Sequence, residues 1–372
     1  MDKGVVVQWF GDISLNGPFC DPQHAAALRE NLGAVAAELG SCDLRIANWE
    51  SPLWGDGRMN ELKVPRLATL PHCAQATEPL KLDVVLLANN HVYDCLEVGF
   101  QNTIALLGQM GAKTLGAGYS ERDATQPLVV ERNGWRLGLL NYVGYDTHPR
   151  LPGDAKVFLN WFDEERALSE TSALSARTDA VLVHLHWGDE FIRMPAIEQR
   201  RIARKLVEAG ARVVVGGHAH VLQGHEPWLH GHIFHGMGNF LFWPPEAPLT
   251  YSGPWPRYVR EVGVACCRLT DGGVSDVAVR HLIQDGLALR WDETGRRKRK
   301  DVKLSRPLLL ADRSFVLARR AEAFRVFQLL FRFHAMRQAG GFWSWFVTRF
   351  GRLIRSAMRS SGIKFRLSQT KQ

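Results

Sequence analysis

No stretch of about 18 apolar residues occurs in the 372-residue sequence, so no membrane-spanning helix is expected. Cysteine is sparse and unpatterned. Cys20, Cys42, Cys73, Cys95, Cys266 and Cys267 contain no C-x-x-C pair, which argues against a zinc ribbon or a disulfide framework. They read as buried thiols of a reducing compartment. Met1-Asp2-Lys3-Gly4 leads straight into Val5-Val6-Val7, so no cleaved hydrophobic leader is expected and the expected location is cytoplasmic. Internal repeats and low-complexity linkers are lacking too, which excludes a solenoid. Acidic residues are scarce at one end: residues 291–372 hold 20 Lys/Arg against 5 Asp/Glu, whereas residues 1–290 hold 26 against 33.

What is present fits a globular protein, with 46% hydrophobic and 23% charged residues. Strand-like runs at Val5–Phe10, Leu44–Ala47, Val84–Ala88, Trp135–Val143, Ala180–Leu185, Arg212–Val215, His232–Phe234 and Arg260–Leu269 alternate with helix-like stretches. The helices are expected near His24–Leu39, Glu97–Met110 and Glu198–Glu208. This alternation predicts an α/β or layered α-β-β-α domain over 1–290. The basic run Arg296–Lys300 can hardly be buried and marks the start of a second region, 291–372.

The strand ends are the informative positions. Val213-Val214-Val215 runs into Gly216-Gly217 and then His218-Ala219-His220. Glycines let the backbone turn and approach a ligand, and imidazoles are the commonest metal ligands. Other strands end in Gly11-Asp12, Asn48-Trp49-Glu50, Asn89-Asn90-His91 with Asp94 beyond, His184-Leu185-His186, and Gly238-Asn239. In open α/β sheets ligands bind at the carboxyl ends of strands. Asp12 and Glu50 offer carboxylate oxygens, Asn90 a neutral oxygen, and His186, His218 and His220 imidazoles. This mixed oxygen and nitrogen set suits one or two divalent ions of Mn, Fe or Zn. A metal pair clamps the attacking and leaving oxygens of an in-line displacement at phosphorus.

The series Gly11-Asp12-Ile13, Asn48-Trp49-Glu50-Ser51-Pro52, Ala88-Asn89-Asn90-His91-Val92-Tyr93-Asp94, His186-Trp187-Gly188-Asp189-Glu190, Gly217-His218-Ala219-His220 and Gly238-Asn239-Phe240 resembles the CapA family over roughly residues 4–270. Its members are capsule and poly-γ-glutamate biosynthesis proteins. The resemblance implies a four-layer α-β-β-α sandwich of the calcineurin-like metallophosphoesterase type, here carrying a basic, partly helical C-terminal appendage. It implies Asp12 and His220 at a first metal, Glu50 as bridge, and Asn90, His186 and His218 at a second. His91 would be the general acid, oriented by Asp94, whose carboxylate is expected to raise the imidazole pKa. Asp94 read alone could equally cap the following helix. Ser14 stands where catalytic phosphoesterases place a histidine ligand. Glu190 and Asn239 are expected at the substrate mouth, His184 behind the ligands, and His225, His230, His232 and His235 in surface or strand packing. Gly116-Ala117-Gly118 reads as a turn.

In the tail, Phe346, Val347, Phe350, Leu353, Ile354 and Met358 fall on one helical side and Arg349, Arg352, Arg355 and Arg359 on the other. With Trp343 and Trp345 this describes a helix over 343–359 at an anionic membrane surface, or one packing onto protein. No nucleic-acid recognition motif occurs. The readings are therefore a metal-dependent hydrolase acting on an anionic polymer or its phosphorylated precursor, a non-catalytic membrane-associated assembly subunit among capsule-assembly proteins, or a phosphodiesterase of small phosphoesters.

Overall fold

A computed structural model describes residues 4–243 and 257–335, with side chains described as far as residue 328. The tail helix expected over 343–359 lies outside the described residues. In chain order the elements begin with β1 (Val5–Ser14), α1 (Pro22–Leu39), β2 (Leu44–Trp49), α2 (Pro71–Ala74), β3 (Val84–Leu86), α3 (Leu96–Gln109), β4 (Lys113–Leu115), β5 (Ala117–Gly118), α4 (Glu121–Thr125), β6 (Leu128–Arg132) and β7 (Trp135–Val143). Next come β8 (Phe158–Leu159), α5 (Glu164–Ser175), β9 (Ala180–His186), α6 (Ile197–Glu208), β10 (Ala211–Gly217), β11 (His225–Trp228), β12 (Gly231–Phe234) and β13 (Asn239–Phe242). The chain continues through β14 (Glu261–Thr270), β15 (Gly273–Asp285), β16 (Ala288–Trp291), α7 (Arg296–Ser305) and α8 (Asp312–Ala335).

Two sheets form. The first runs β16-β15-β14-β1-β2-β3-β4, with β13 also paired to β1, and the second runs β11-β12-β10-β9-β7-β6. Side-chain alternation stacks them. Val5, Val7 and Trp9 of β1 and Leu44 and Ile46 of β2 meet Leu137 and Leu139 of β7, Leu182 of β9 and Val213 and Val215 of β10 in one buried cluster between the sheets. Ala47, Trp49 and Val85 face the other way, onto Leu28 and Leu32 of α1 and Phe100 and Leu107 of α3. Val181, Val183 and Leu185 face outward onto Leu174 of α5 and Ile202 and Leu206 of α6. The layers are therefore α-β-β-α, as the family resemblance implied.

Boundaries differ from the sequence reading where side chains alone did not reveal pairing. β1 continues to Ser14 rather than stopping at Phe10, because β13 adds beside its second half. β3 stops at Leu86, not Ala88. β6, α5, β15 and β16 were not foreseen; β15 is mostly half-exposed, which weakens its apolar signature. Three cysteines (Cys73, Cys95 and Cys267) are buried, whereas Cys20, Cys42 and Cys266 are only partly so, which corrects the uniform burial expected; all six are free. Among the described residues no helix is long and apolar enough to cross a membrane.

Candidate metal centre

Strand parity delivers the polar side chains to one place. On β2, Leu44 and Ile46 line the space between the sheets, so Asn48 and, just past the strand, Glu50 fall on the same side. On β9 the residues after Leu182 on that side are His184 and His186. β1 would send Asp12 the wrong way but for a shift in register: Trp9 pairs with Ile46, while Asp12 pairs with Asn48. One extra residue turns Asp12 inward. The shift needs Gly11, where a Cβ would lie 2.1 Å from the Gly238 carbonyl oxygen. At the end of β10, a Cβ on Gly217 would sit 3.1 Å from His184 Nε2 and 3.2 Å from Asp12 Oδ1. Beyond it His218 (φ 78°) and His220 (φ 55°) both adopt left-handed backbone, a conformation costing about 1–2 kcal/mol per non-glycine residue. Strain of this kind marks positions held for a task.

The eight side chains singled out from the sequence form two adjoining assemblies. In one, Glu50, His186 and His218 bring ligand-type atoms within 4.8 Å of one another, and Asp12, Glu50 and His220 do the same. Glu50 belongs to both groups. Its Oε1 lies 3.8 Å from His186 Nε2 and 3.7 Å from His220 Nε2. Asn90 joins through Oδ1, 2.9 Å from His186 Nε2. In the other, His91 Nδ1 and Asp94 Oδ2 are 2.6 Å apart. Asp94 does not cap α3. Its carboxylate instead takes the His91 ring and the Leu67 N–H, and Cys95 is the residue at the helix start.

The set is buried and electrically unbalanced. Glu50 is fully buried, and neither of its carboxylate oxygens has a hydrogen-bond partner. His218 Nδ1 is likewise without one. Burial, and then the charge of Asp12, drive Glu50 well above the usual carboxylate range. Burial raises Asp12 as well, against the pull of His220 and the Asn48 amide. Burial pushes His186 and His218 well below the ordinary histidine range. Two clustered carboxylates and neutral imidazoles with lone pairs facing inward fit a divalent cation, which would supply the missing charge and fill the orphaned lone pairs.

His91 departs from the expectation that Asp94 raises its pKa. Burial, and then the Lys63 ammonium, instead hold His91 well below its usual value, while burial holds Asp94 well above its own. With Nδ1 engaged by Asp94, Nε2 is the ring nitrogen left for proton transfer.

Several residues were missed or misplaced. Asn48 donates to Asp12 Oδ1 at 2.8 Å and accepts from Asn89 Nδ2 at 3.2 Å, fixing one carboxylate; its position two residues before Glu50 could have revealed it. Asn239, expected at the mouth, is only 2% exposed, and its Oδ1 lies 2.8 Å from His220 Nδ1, which leaves Nε2 toward Glu50. His184 sits behind the site as expected, stacked on Trp9 and bonded to Asn141, with burial lowering its pKa to about 3. Lys63 carried no sequence signal. It is 6% exposed, donates to the His148 carbonyl at 3.4 Å, and lies in electrostatic reach of Asp94, Glu190 and Glu50. Ser14 is buried and bonds Asn16 Oδ1 at 3.0 Å.

A family model described as bacterial capsule synthesis protein PGA_cap matches residues 6–243, which carry this whole constellation. The chain belongs to that family. The capsule biosynthesis protein CapA of Bacillus anthracis is 28% identical over 220 residues, covering 56% of this chain and 52% of the relative. The PGA biosynthesis protein CapA of Bacillus subtilis is 28% identical over 211 residues, covering 54% and 53%. The chain thus spans about half the length of these curated relatives. A 5'-nucleotidase precursor from Thermus thermophilus aligns at TM-score 0.46 and 17% identity, covering 82% of this chain and 59% of that one.

The PGA_cap match stops at Trp243, yet the helices beyond it brace the site. Arg319 of α8 binds Asp189 at 2.5 Å, and Glu322 binds Arg193 at 2.8 Å. Between these ties Phe191 stacks on His220 with ring centroids 6.1 Å apart, and its N–H donates to the Ala219 carbonyl at 2.7 Å. Val326 packs with Phe191, Ala219 and Val221 in one cluster.

Proposed function

We propose that this PGA_cap protein is a metal-dependent hydrolase of capsule or exopolymer biosynthesis, acting on an anionic polymer such as poly-γ-glutamate or on its phosphorylated precursor. The observation that carries the reading is the fully buried Glu50 carboxylate, unpaired and shared by two ligand groups. In this reading Asp12, Glu50 and His220 would hold one divalent ion, and Glu50, Asn90, His186 and His218 would hold the other. Mn, Fe or Zn in these positions would supply Lewis acidity to an oxygen of the scissile group. The chain's own residues do the rest. Asn48 and Asn239 fix Asp12 and His220, His91 Nε2 gives its proton to the departing group (the ester oxygen of a phosphorylated precursor or the amide nitrogen of a polyglutamate chain) with Asp94 behind it, and Lys63 offers positive charge to the anionic substrate. The capsule and PGA roles named for the Bacillus relatives supply the biological setting.

One observation favours a second reading, a non-catalytic assembly subunit among capsule-assembly proteins. The Ser14 hydroxyl is spent on Asn16, so the first ligand group has three members and no further nitrogen from β1. Metal content and turnover of a generic phosphodiester, compared between wild type and His218→Ala, separate the two. Bound metal with turnover lost in the variant supports the hydrolase. Bound metal without turnover of any phosphoester or polymer supports the subunit, and absence of metal under saturating conditions overturns both.

A further inference from the structure

The outer face of α8 has a composition that the metal centre does not explain. The helix is pinned by its inner side, where Phe315, Arg319, Glu322 and Val326 are all buried. At about 100° per residue these four share one arc of the helix. On the opposite arc lie Arg313, Leu317, Arg320 and Phe324, all exposed, with Leu317 at 64% and Phe324 at 57%. Leu309 (74% exposed) and Leu310 (40%) lead into this line, and Val302 on α7 is 52% exposed. Earlier in the chain, Arg296, Lys298, Arg299, Lys303 and Arg306 also face solvent. Because the ion pairs to Asp189 and Arg193 fix the helix rotation, the stripe cannot turn inward to hide its leucine and phenylalanine.

We propose that this face of α8 is a docking surface for an anionic lipid bilayer. Large apolar side chains alternating with arginines match a partner that offers hydrocarbon and negative charge within a few ångströms of each other. Charge argues against the other occupants. A second copy would set the same arginines against themselves. The chain's own residues 329–372 hold nine Lys/Arg and no Asp/Glu, so they repel this face rather than neutralise it. A nucleic acid would meet the arginines but leave Leu317 and Phe324 without a partner. The proposal does not depend on the chemistry of the metal centre, and it concerns residues other than 343–359.

The test uses the full chain and co-sedimentation with vesicles of phosphatidylcholine alone or mixed with phosphatidylglycerol. Wild type is expected to bind the anionic vesicles and to be released by salt. Arg313→Gln/Arg320→Gln should weaken binding by about fivefold per arginine removed. Leu317→Ser/Phe324→Ser should weaken it at least about tenfold. Because all four side chains are exposed, both variants should keep the wild-type circular dichroism spectrum and metal content. Vesicle binding equal to wild type in both variants would overturn the proposal, as would no binding of wild type. It would equally be overturned if the Leu317→Ser/Phe324→Ser variant abolished a wild-type dimer seen by sedimentation, or if wild type bound a DNA oligonucleotide and not the vesicles.

Discussion

Replacing Glu50 by glutamine should reverse its effect on stability according to whether metal is present. Without metal, the native state buries a carboxylate whose two oxygens have no partner and whose neighbour is Asp12. A carboxylate with a folded-state pKa above its unfolded value binds more protons in the native state, so it destabilises the fold progressively as pH rises past about 4.3. Glutamine removes that charge. Leaving such a group unsatisfied costs about 1–3 kcal/mol, so Glu50→Gln should stabilise the metal-free protein at pH 7 by about 2 kcal/mol, or roughly 4–8 °C in Tm. With metal at about 100 times its Kd, wild type should gain about 2.7 kcal/mol per ion held, whereas the variant should gain little. Thermal unfolding of both proteins in EDTA and in Mn2+ measures the crossover. If Glu50→Gln were less stable than wild type in EDTA, or if Mn2+ raised both midpoints equally, the reasoning from an orphaned buried carboxylate would be refuted.

Four further outcomes follow from the geometry. Gly11→Ala drives a methyl into the Gly238 carbonyl and should cost about 3 kcal/mol in urea unfolding while displacing Asp12. His91→Asn should slow phosphodiester turnover by about 10²–10⁴-fold and leave metal content unchanged. Arg319→Ala should weaken Mn2+ binding about tenfold by calorimetry, through Asp189 and the Phe191–His220 stack, with Arg319→Lys recovering part of the loss. Asp301 of α7 lies 3.2 Å from His225 Nε2 and 3.7 Å from His281 Nε2, and these rings hold its pKa down to about 2 against burial. A depressed carboxylate stabilises the fold above its unfolded pKa and loses that contribution as pH falls through about 4 toward 2. Asp301→Asn should therefore cost about 2 kcal/mol at pH 6 and much less at pH 2, by denaturant titration.

The clustering of the candidate ligand residues was legible because strand parity and strand-end chemistry are local. Asn48-x-Glu50, His184-x-His186 and Gly217-His218-x-His220 each announce a face and an edge within a few residues. What escaped the sequence depends on contacts between distant segments. The register shift at Gly11 exists because β13 approaches β1 from more than 220 positions along the chain. Lys63 reaches the site from a loop with no periodicity, held there by Asn60 bonding the Asp94 carbonyl. The direction of the His91 shift was misjudged because a sequence displays the neighbouring carboxylate but not the desolvation that outweighs it. The sides of α8 are not evident in the sequence, since its inner stripe mixes Phe315 and Val326 with Arg319 and Glu322, whose partners lie about 130 residues earlier.

Whether Glu50 bridges two cation positions, as proposed, is answered by anomalous diffraction from crystals grown with Mn2+. Peaks are expected on both sides of the Glu50 carboxylate, one contacted by Asp12 and His220 and the other by Asn90, His186 and His218. Saturating Mn2+ with no peak within ligand distance of Glu50 would contradict the proposal.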